Sequence, residues 1–176
     1  RSVAVKSTLL STLGVLFTAG LVGVFAHFVL YFPWAESMLI GSVISSTDAA
    51  SVFSILRSKK LNLKDHTASM LEMESGSNDP MSYMLTLLWI TILIGDQVSV
   101  PLLVMRQLAI GSVLGLLLGK CAVFALNRCN FYIAQGNTIF LLAVSALAYA
   151  LPSALGGNGY LSVYLCGTVM GNSYLP

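Results

Sequence analysis

The chain has 176 residues, of which 56% are hydrophobic and only 9% charged, with a formal net charge of +2. Soluble domains carry about 25% charged residues, so the composition points to an all-α polytopic membrane protein and away from a soluble helical core. A charge this small, with no basic run interleaved with exposed aromatics, sets nucleic acid aside as a partner.

The first predicted span covers residues 7–30, enough to cross a bilayer, for which about 20 apolar residues suffice. Arg1 and Lys6 precede it, and Phe32-Pro-Trp34 follows as an aromatic interface anchor. The second, residues 37–56, holds Ser45-Ser-Thr-Asp-Ala-Ala50 near its middle: three hydroxyls and a carboxylate where hydrocarbon is expected. That span has no Lys or Arg, and an intramembrane Asp such as Asp48 is a functional-site candidate by default. We expect the helix to be unwound near Thr47 and Asp48, exposing half-helix ends of the kind that bind ions in broken-helix transporters.

A polar loop at residues 57–66 carries Arg57, Lys59, Lys60 and Lys64. The third span, residues 67–94, contains Glu72-Met-Glu-Ser-Gly-Ser-Asn-Asp-Pro80. An ionised carboxylate at the bilayer centre costs about 2.5 to 3.5 kcal/mol on insertion scales, so Glu72, Glu74 and Asp79 must be neutralised, paired or wetted. At about 100° per residue, Glu72, Ser75 and Asp79 share one helical stripe, while Glu74 and Asn78 share another. Glu72 is expected to be solvated at the cytoplasmic interface and Glu74 to pair with a cation. Asp79, the deepest, is the first choice for an exchanging carboxylate. Pro80 removes a backbone donor and Gly76 weakens the helix upstream, which frees carbonyls as ligands.

After a turn at Gly95-Asp96, the fourth span lies within residues 102–126, the fifth in 137–151 and the sixth in 159–171. Gly111, Gly115 and Gly119 form a small-residue ridge that permits close helix packing, within the chain or across a dimer. Arg106 and Lys120 are expected to snorkel to opposite interfaces. His27 and His66 sit near span ends, and Tyr149, Tyr160 and Tyr164 read as packing residues. Cys121, Cys129 and Cys166 form no CxxC and are odd in number, so neither a disulfide framework nor a zinc site is indicated. With six spans, the amino end, the 57–66 loop and Arg128 fall on one side, and the connections at Pro33, Asp96 and Gly156 hold no Lys or Arg. The basic side is assigned to the cytoplasm. Starting at Arg1 without a leader and ending just after an apolar segment, the chain reads as an internal fragment.

Carboxylates in consecutive spans suit a monovalent-cation or proton transporter, in which one carboxylate alternates between a proton and a cation and stays neutralised. Na⁺ and K⁺ favour oxygen ligands, which Asp79, Ser75, Thr47 and freed carbonyls would supply. No cofactor and no enzymatic activity are expected. An intramembrane aspartyl protease would also need two embedded Asp residues sharing a proton, but its Tyr-Asp and Gly-x-Gly-Asp pairs are missing here. A rhomboid-like serine protease would want Gly-x-Ser-Gly and a deep histidine, which Gly76-Ser-Asn78 and the peripheral histidines do not supply. A passive cation channel would share the polar pathway but lack proton coupling.

Ser46-Thr-Asp-Ala49 in one span and Glu74-Ser-Gly-Ser-Asn-Asp79 in the next, with a basic loop between, resemble the electroneutral branch of the monovalent cation/proton antiporters. The likeness is greatest to its bacterial cell-volume-regulation, potassium/proton type, and extends to Gly156-Gly-Asn-Gly159 and Gly171-Asn172. The resemblance implies an inverted-repeat, multi-pass transporter of about a dozen spans in the bacterial inner membrane, usually a homodimer, with a mobile core and a dimerising scaffold. Residues 1–96 would then belong to the core and 97–176 to the scaffold. It also implies that Thr47 and Asp48 mark an unwound crossing and that Ser75 and Asp79 contact the ion, with Asn78 beside them. Glu74 would pair with an arginine from a later span. Asn78 adds no second titratable group, so exchange is expected to be electroneutral. Ala49 stands where many relatives have proline, and Gly76-Ser77 where they have a more apolar pair.

Overall fold

A computed structural model describes residues 2–48, 50–59, 67–96, 99–128 and 136–173. These form seven helices and no strand: α1 (Ser2–Leu30), α2 (Trp34–Ile44), α3 (Ala50–Ser58), α4 (Thr67–Ile94), α5 (Val100–Arg128), α6 (Gly136–Ala154) and α7 (Gly159–Gly171). The chain divides into two compact units, Arg1–Val98 and Ser99–Pro176.

Seven helices stand where six spans were expected, because the second predicted span is two helices, of 11 and 9 residues, with non-helical Ser46, Thr47 and Asp48 between them. Serine, threonine and aspartate side chains compete for backbone hydrogen bonds and end helices readily. At about 1.5 Å per residue, α2 is about 16 Å long, half a bilayer core. Among the described residues, Val5–Leu30 and Val100–Arg128 are each long and apolar enough to cross a membrane, while Trp34–Ile44 and Thr138–Ala154 are shorter apolar helices.

In the first unit, α1 packs on α2 and α4, and α2 packs on α4. The buried stripe of α1 is Ser7, Ser11, Val15, Ala19 and Ala26, whereas Leu9, Leu13, Leu16, Phe17, Leu21 and Phe28 point outward, Phe17 and Leu21 each 70% exposed. A soluble bundle places large apolar residues inside. Here small residues face inward and bring backbones together, the packing style of helices in lipid. At the closest approach, a Cβ on Gly41 would overlap the Ala19 carbonyl and lie 3.0 Å from the Gly23 nitrogen. The α1–α2 turn is tied by the His27 ring, whose Nδ1 is 2.8 Å from the Phe32 carbonyl. Because a carbonyl only accepts, that nitrogen carries the proton.

In the second unit, α7 packs on α5 and α6. Gly111, Gly115 and Gly119 face α7: added Cβ atoms would lie 2.7 Å from the Asn158 carbonyl oxygen, 2.6 Å from that of Ser162 and 2.9 Å from Val169 Cβ. Asn158 starts α7, its Oδ1 accepting from the Leu161 amide at 3.0 Å, and its own amide donates to the Gln107 carbonyl at 3.2 Å. Lys120 is exposed. Arg106, also exposed, has found a protein partner, donating to the Leu155 carbonyl at 2.8 Å. Cys121 is exposed and Cys166 buried, both free thiols; Cys129, His66, Lys60 and Lys64 lie outside the described residues.

Candidate ion-coordination site

A break in a helix leaves carbonyls without their usual donors, and in an apolar setting each must find another. Side chains of α4 and the local serines fill that need. The Ser42 carbonyl, at the end of α2, accepts from Ser45 Oγ at 2.7 Å and from Ser82 Oγ of α4 at 2.6 Å. The Thr47 carbonyl accepts from Ser75 Oγ at 3.1 Å and from Asn78 Nδ2 at 3.0 Å.

Asn78 is the hub, only 1% exposed. Its Nδ2 also reaches Thr47 Oγ1 at 2.7 Å and Glu74 Oε1 at 3.3 Å, so two hydrogens serve three acceptors. Its Oδ1 lies 3.4 Å from Ser46 Oγ. The same Ser46 hydroxyl donates to Asp79 Oδ1. Neighbouring residues on a helix diverge by about 100°, which explains how Asn78 is buried while Asp79 is exposed. Ser46, at the seam between those two faces, touches both side chains.

Thr47, Ser75, Asn78 and Glu74 are thus brought together, with Asp79 joined through Ser46. Asp48 continues the non-helical stretch with its side chain exposed; Glu72 is exposed as well, and Glu74 is half-buried. Pro80, buried within α4, has no N–H to return to the Gly76 carbonyl one turn back. Ser42 and Ser82 carry no signal in the sequence, and Ser46 enters there only within the hydroxyl run and as the first residue of the Ser46-Thr-Asp-Ala49 motif. The run of hydroxyls at 45–47 was the visible signal, but once the helix breaks, its phase no longer tells which hydroxyl meets α4.

The groups gathered here are two carboxylates, Glu74 and Asp79, with hydroxyls, an amide and the Thr47 backbone carbonyl, all hard oxygens apart from the amide nitrogen. Among the described residues no group of three or more His, Cys, Asp or Glu is assembled. Exposure leaves the Asp79 carboxylate reachable by ions, while Asn78 splints the backbone behind it.

An interrupted helix pair whose first member packs on a polar, proline-containing helix is similar to the discontinuous helices found in secondary transporters. Residues 1–176 match the profile of the family described as "Sodium/hydrogen exchanger, transmembrane", and the chain belongs to that family. It is therefore part of an integral membrane protein. It is 37% identical over 179 residues to the K(+)/H(+) antiporter NhaP of Alkalimonas amylolytica, covering 100% of this chain and 31% of that protein. The K(+)/H(+) antiporter NhaP2 of Shewanella oneidensis is 37% identical over 169 residues, covering 93% of this chain and 29% of the relative. A probable Na(+)/H(+) antiporter 2 of Methanocaldococcus jannaschii is 28% identical, covering 85% of this chain and 37% of its own length. The chain thus spans about a third of the length of these relatives.

Proposed function

We propose that the protein to which this chain belongs exchanges a monovalent cation for a proton by alternating access, and that Asp79 is the carrier. The observation that carries this reading is the junction of the α2–α3 break with α4, where Ser46 ties the exposed Asp79 carboxylate to the cluster of Thr47, Ser75 and Asn78. Ionised Asp79 takes the cation together with hydroxyl and carbonyl oxygens from Ser75 and Thr47. It releases the cation on the other side and returns protonated. Proton and cation compete for the same oxygens, so exchange peaks at intermediate pH: acid fills the site with protons, and alkali starves the return step. With an amide at Asn78 in place of a second acid, one cation exchanges for one proton without net charge movement. Two relatives named K(+)/H(+) antiporters, at 37% identity, favour K⁺ over Na⁺ as the cation.

In this reading the complete protein is an inverted-repeat, multi-pass homodimer in the bacterial inner membrane, surrounded by lipid. The chain would contribute six spans, the interrupted α2–α3 pair counting as one. Residues 1–96 form part of the moving core and 97–176 part of the scaffold. Asp48 lines the crossing, and Glu74 pairs with an arginine beyond this chain. The test is Asp79→Asn in the full-length protein, reconstituted in proteoliposomes with the membrane potential clamped. Coupled exchange should vanish while the protein remains folded and inserted. Exchange that persists in the folded variant assigns the carrier elsewhere, and wild-type turnover that generates a potential overturns the one-to-one stoichiometry.

A further inference from the structure

In the second unit, a groove of about 480 Å³ runs along α5, lined by Arg106, Ala109, Ile110, Val113, Leu114 and Leu155. Apart from the guanidinium at one end, its lining side chains are apolar. That guanidinium is held in place: Nη2 donates to the Leu155 carbonyl just beyond α6, where the helix dipole favours a cation. Its flat face lies so close to Gly156 that an added Cβ there would sit 2.5 Å from Nη2. Gly156 adopts φ +75°, a conformation and a space that only glycine fills easily. Arginine has five N–H donors; among the described residues, the one hydrogen bond that Arg106 makes is to Leu155.

Depth decides what such a groove can take. At about 1.5 Å per residue, the 29 residues of α5 span about 43 Å, so a centred helix overhangs a ~30 Å hydrocarbon core by about 7 Å at each end. In that placement Arg106, about 9 Å from the start of α5, would stand at the boundary between headgroups and acyl chains, with the groove continuing from it about 12 Å inward to Leu114. A fixed guanidinium at headgroup level above an apolar trough matches one molecule type in both chemistry and length. We infer that this groove binds an anionic phospholipid, its phosphate on Arg106 and one acyl chain along Ile110, Val113 and Leu114. Planar guanidinium pairs with phosphate oxygens by two parallel hydrogen bonds. A second copy is a poorer occupant, because a two-fold contact centred here would set Arg106 against its own image.

Lipid retention by the purified full-length protein tests this, independently of ion exchange. Native mass spectrometry after exposure to phosphatidylglycerol or phosphatidylcholine should show the wild type keeping phosphatidylglycerol in preference. Loss of charge-assisted hydrogen bonds corresponds to roughly tenfold weaker binding, so Arg106→Gln should lose phosphatidylglycerol by about that factor and leave phosphatidylcholine unchanged. Val113 is 55% exposed, and Val113→Trp should fill the trough and cause a comparable loss with the guanidinium intact. This second variant decides the matter if Arg106→Gln fails to fold. Equal retention of both lipids by the wild type, or undiminished phosphatidylglycerol on both variants, overturns the assignment. So does a nitroxide at Val113→Cys that bilayer-dissolved oxygen cannot reach, because protein from a further segment or a second copy would then occupy the groove.

Discussion

A buried primary amide offers two hydrogens and one oxygen, and at Asn78 each of these atoms has a neighbour: Thr47 and Glu74 on the nitrogen side, Ser46 on the oxygen side. Removing it would take from Thr47 Oγ1 and Glu74 Oε1 the amide hydrogens they share, leave the Thr47 carbonyl with Ser75 alone, and open a gap where the buried side chain stood. Leaving a buried polar group unsatisfied costs about 1 to 3 kcal/mol. Asn78→Ala should accordingly lower thermal stability by that order and reduce folded yield before any question of transport arises. Ser46 is different, since its acceptor on Asp79 is exposed and regains water when the hydroxyl is removed. Ser46→Ala should change the full-length protein's stability by under about 1 kcal/mol but shift the apparent KM for the cation, with Ser46→Thr restoring it. A large loss of stability with unchanged KM would make Ser46 structural. Asp79, Asn78 and Thr47 stand out in the sequence as polar residues in an apolar setting, and the structure places Asn78 against Thr47. The contact of Ser46 with Asp79 is not legible in the sequence, because it depends on how the broken backbone is aimed.

At the scale of elements, the interruption of the second span was readable from its three hydroxyls and carboxylate, yet the division into two separate helices was visible only in the backbone. The ridge of Gly111, Gly115 and Gly119 was equally plain in sequence, but spacing alone does not name a partner. The structure supplies one in α7, close enough that a Cβ on Gly115 would stand 2.8 Å from Ser162 Cα. Gly115→Leu must therefore push two backbones apart, and overpacking of this kind costs about 1 to 3 kcal/mol. Gly14 on α1 makes the contrast, having nothing within 4 Å of the position its Cβ would take. Gly14→Ala should be neutral or stabilising by up to about 1 kcal/mol, the helix-propensity difference between these residues. Thermal unfolding of both variants in one detergent checks the pair, and similar losses for the two would contradict the packing described for α5 and α7.

For the whole molecule, composition and apolar length were sufficient to place the chain in a membrane, because those signals sum over many residues and do not depend on fine geometry. The connection at residues 60–66, used in the topological reading, falls outside the described structure. The inverted distribution of size in α1, with serine and alanine inward and leucine and phenylalanine outward, has a thermodynamic consequence. Unfolding a soluble protein moves apolar surface into water and raises the heat capacity by about 12–15 cal/mol/K per residue. In a bilayer, Leu9, Leu13, Phe17 and Leu21 would contact hydrocarbon both before and after the helices separate, so that hydration change is largely missing. Calorimetry in bicelles should give an increment per residue well under half the soluble value, with a stability curve correspondingly flat in temperature. A soluble-like increment would mean that separation of the helices drives these side chains into water.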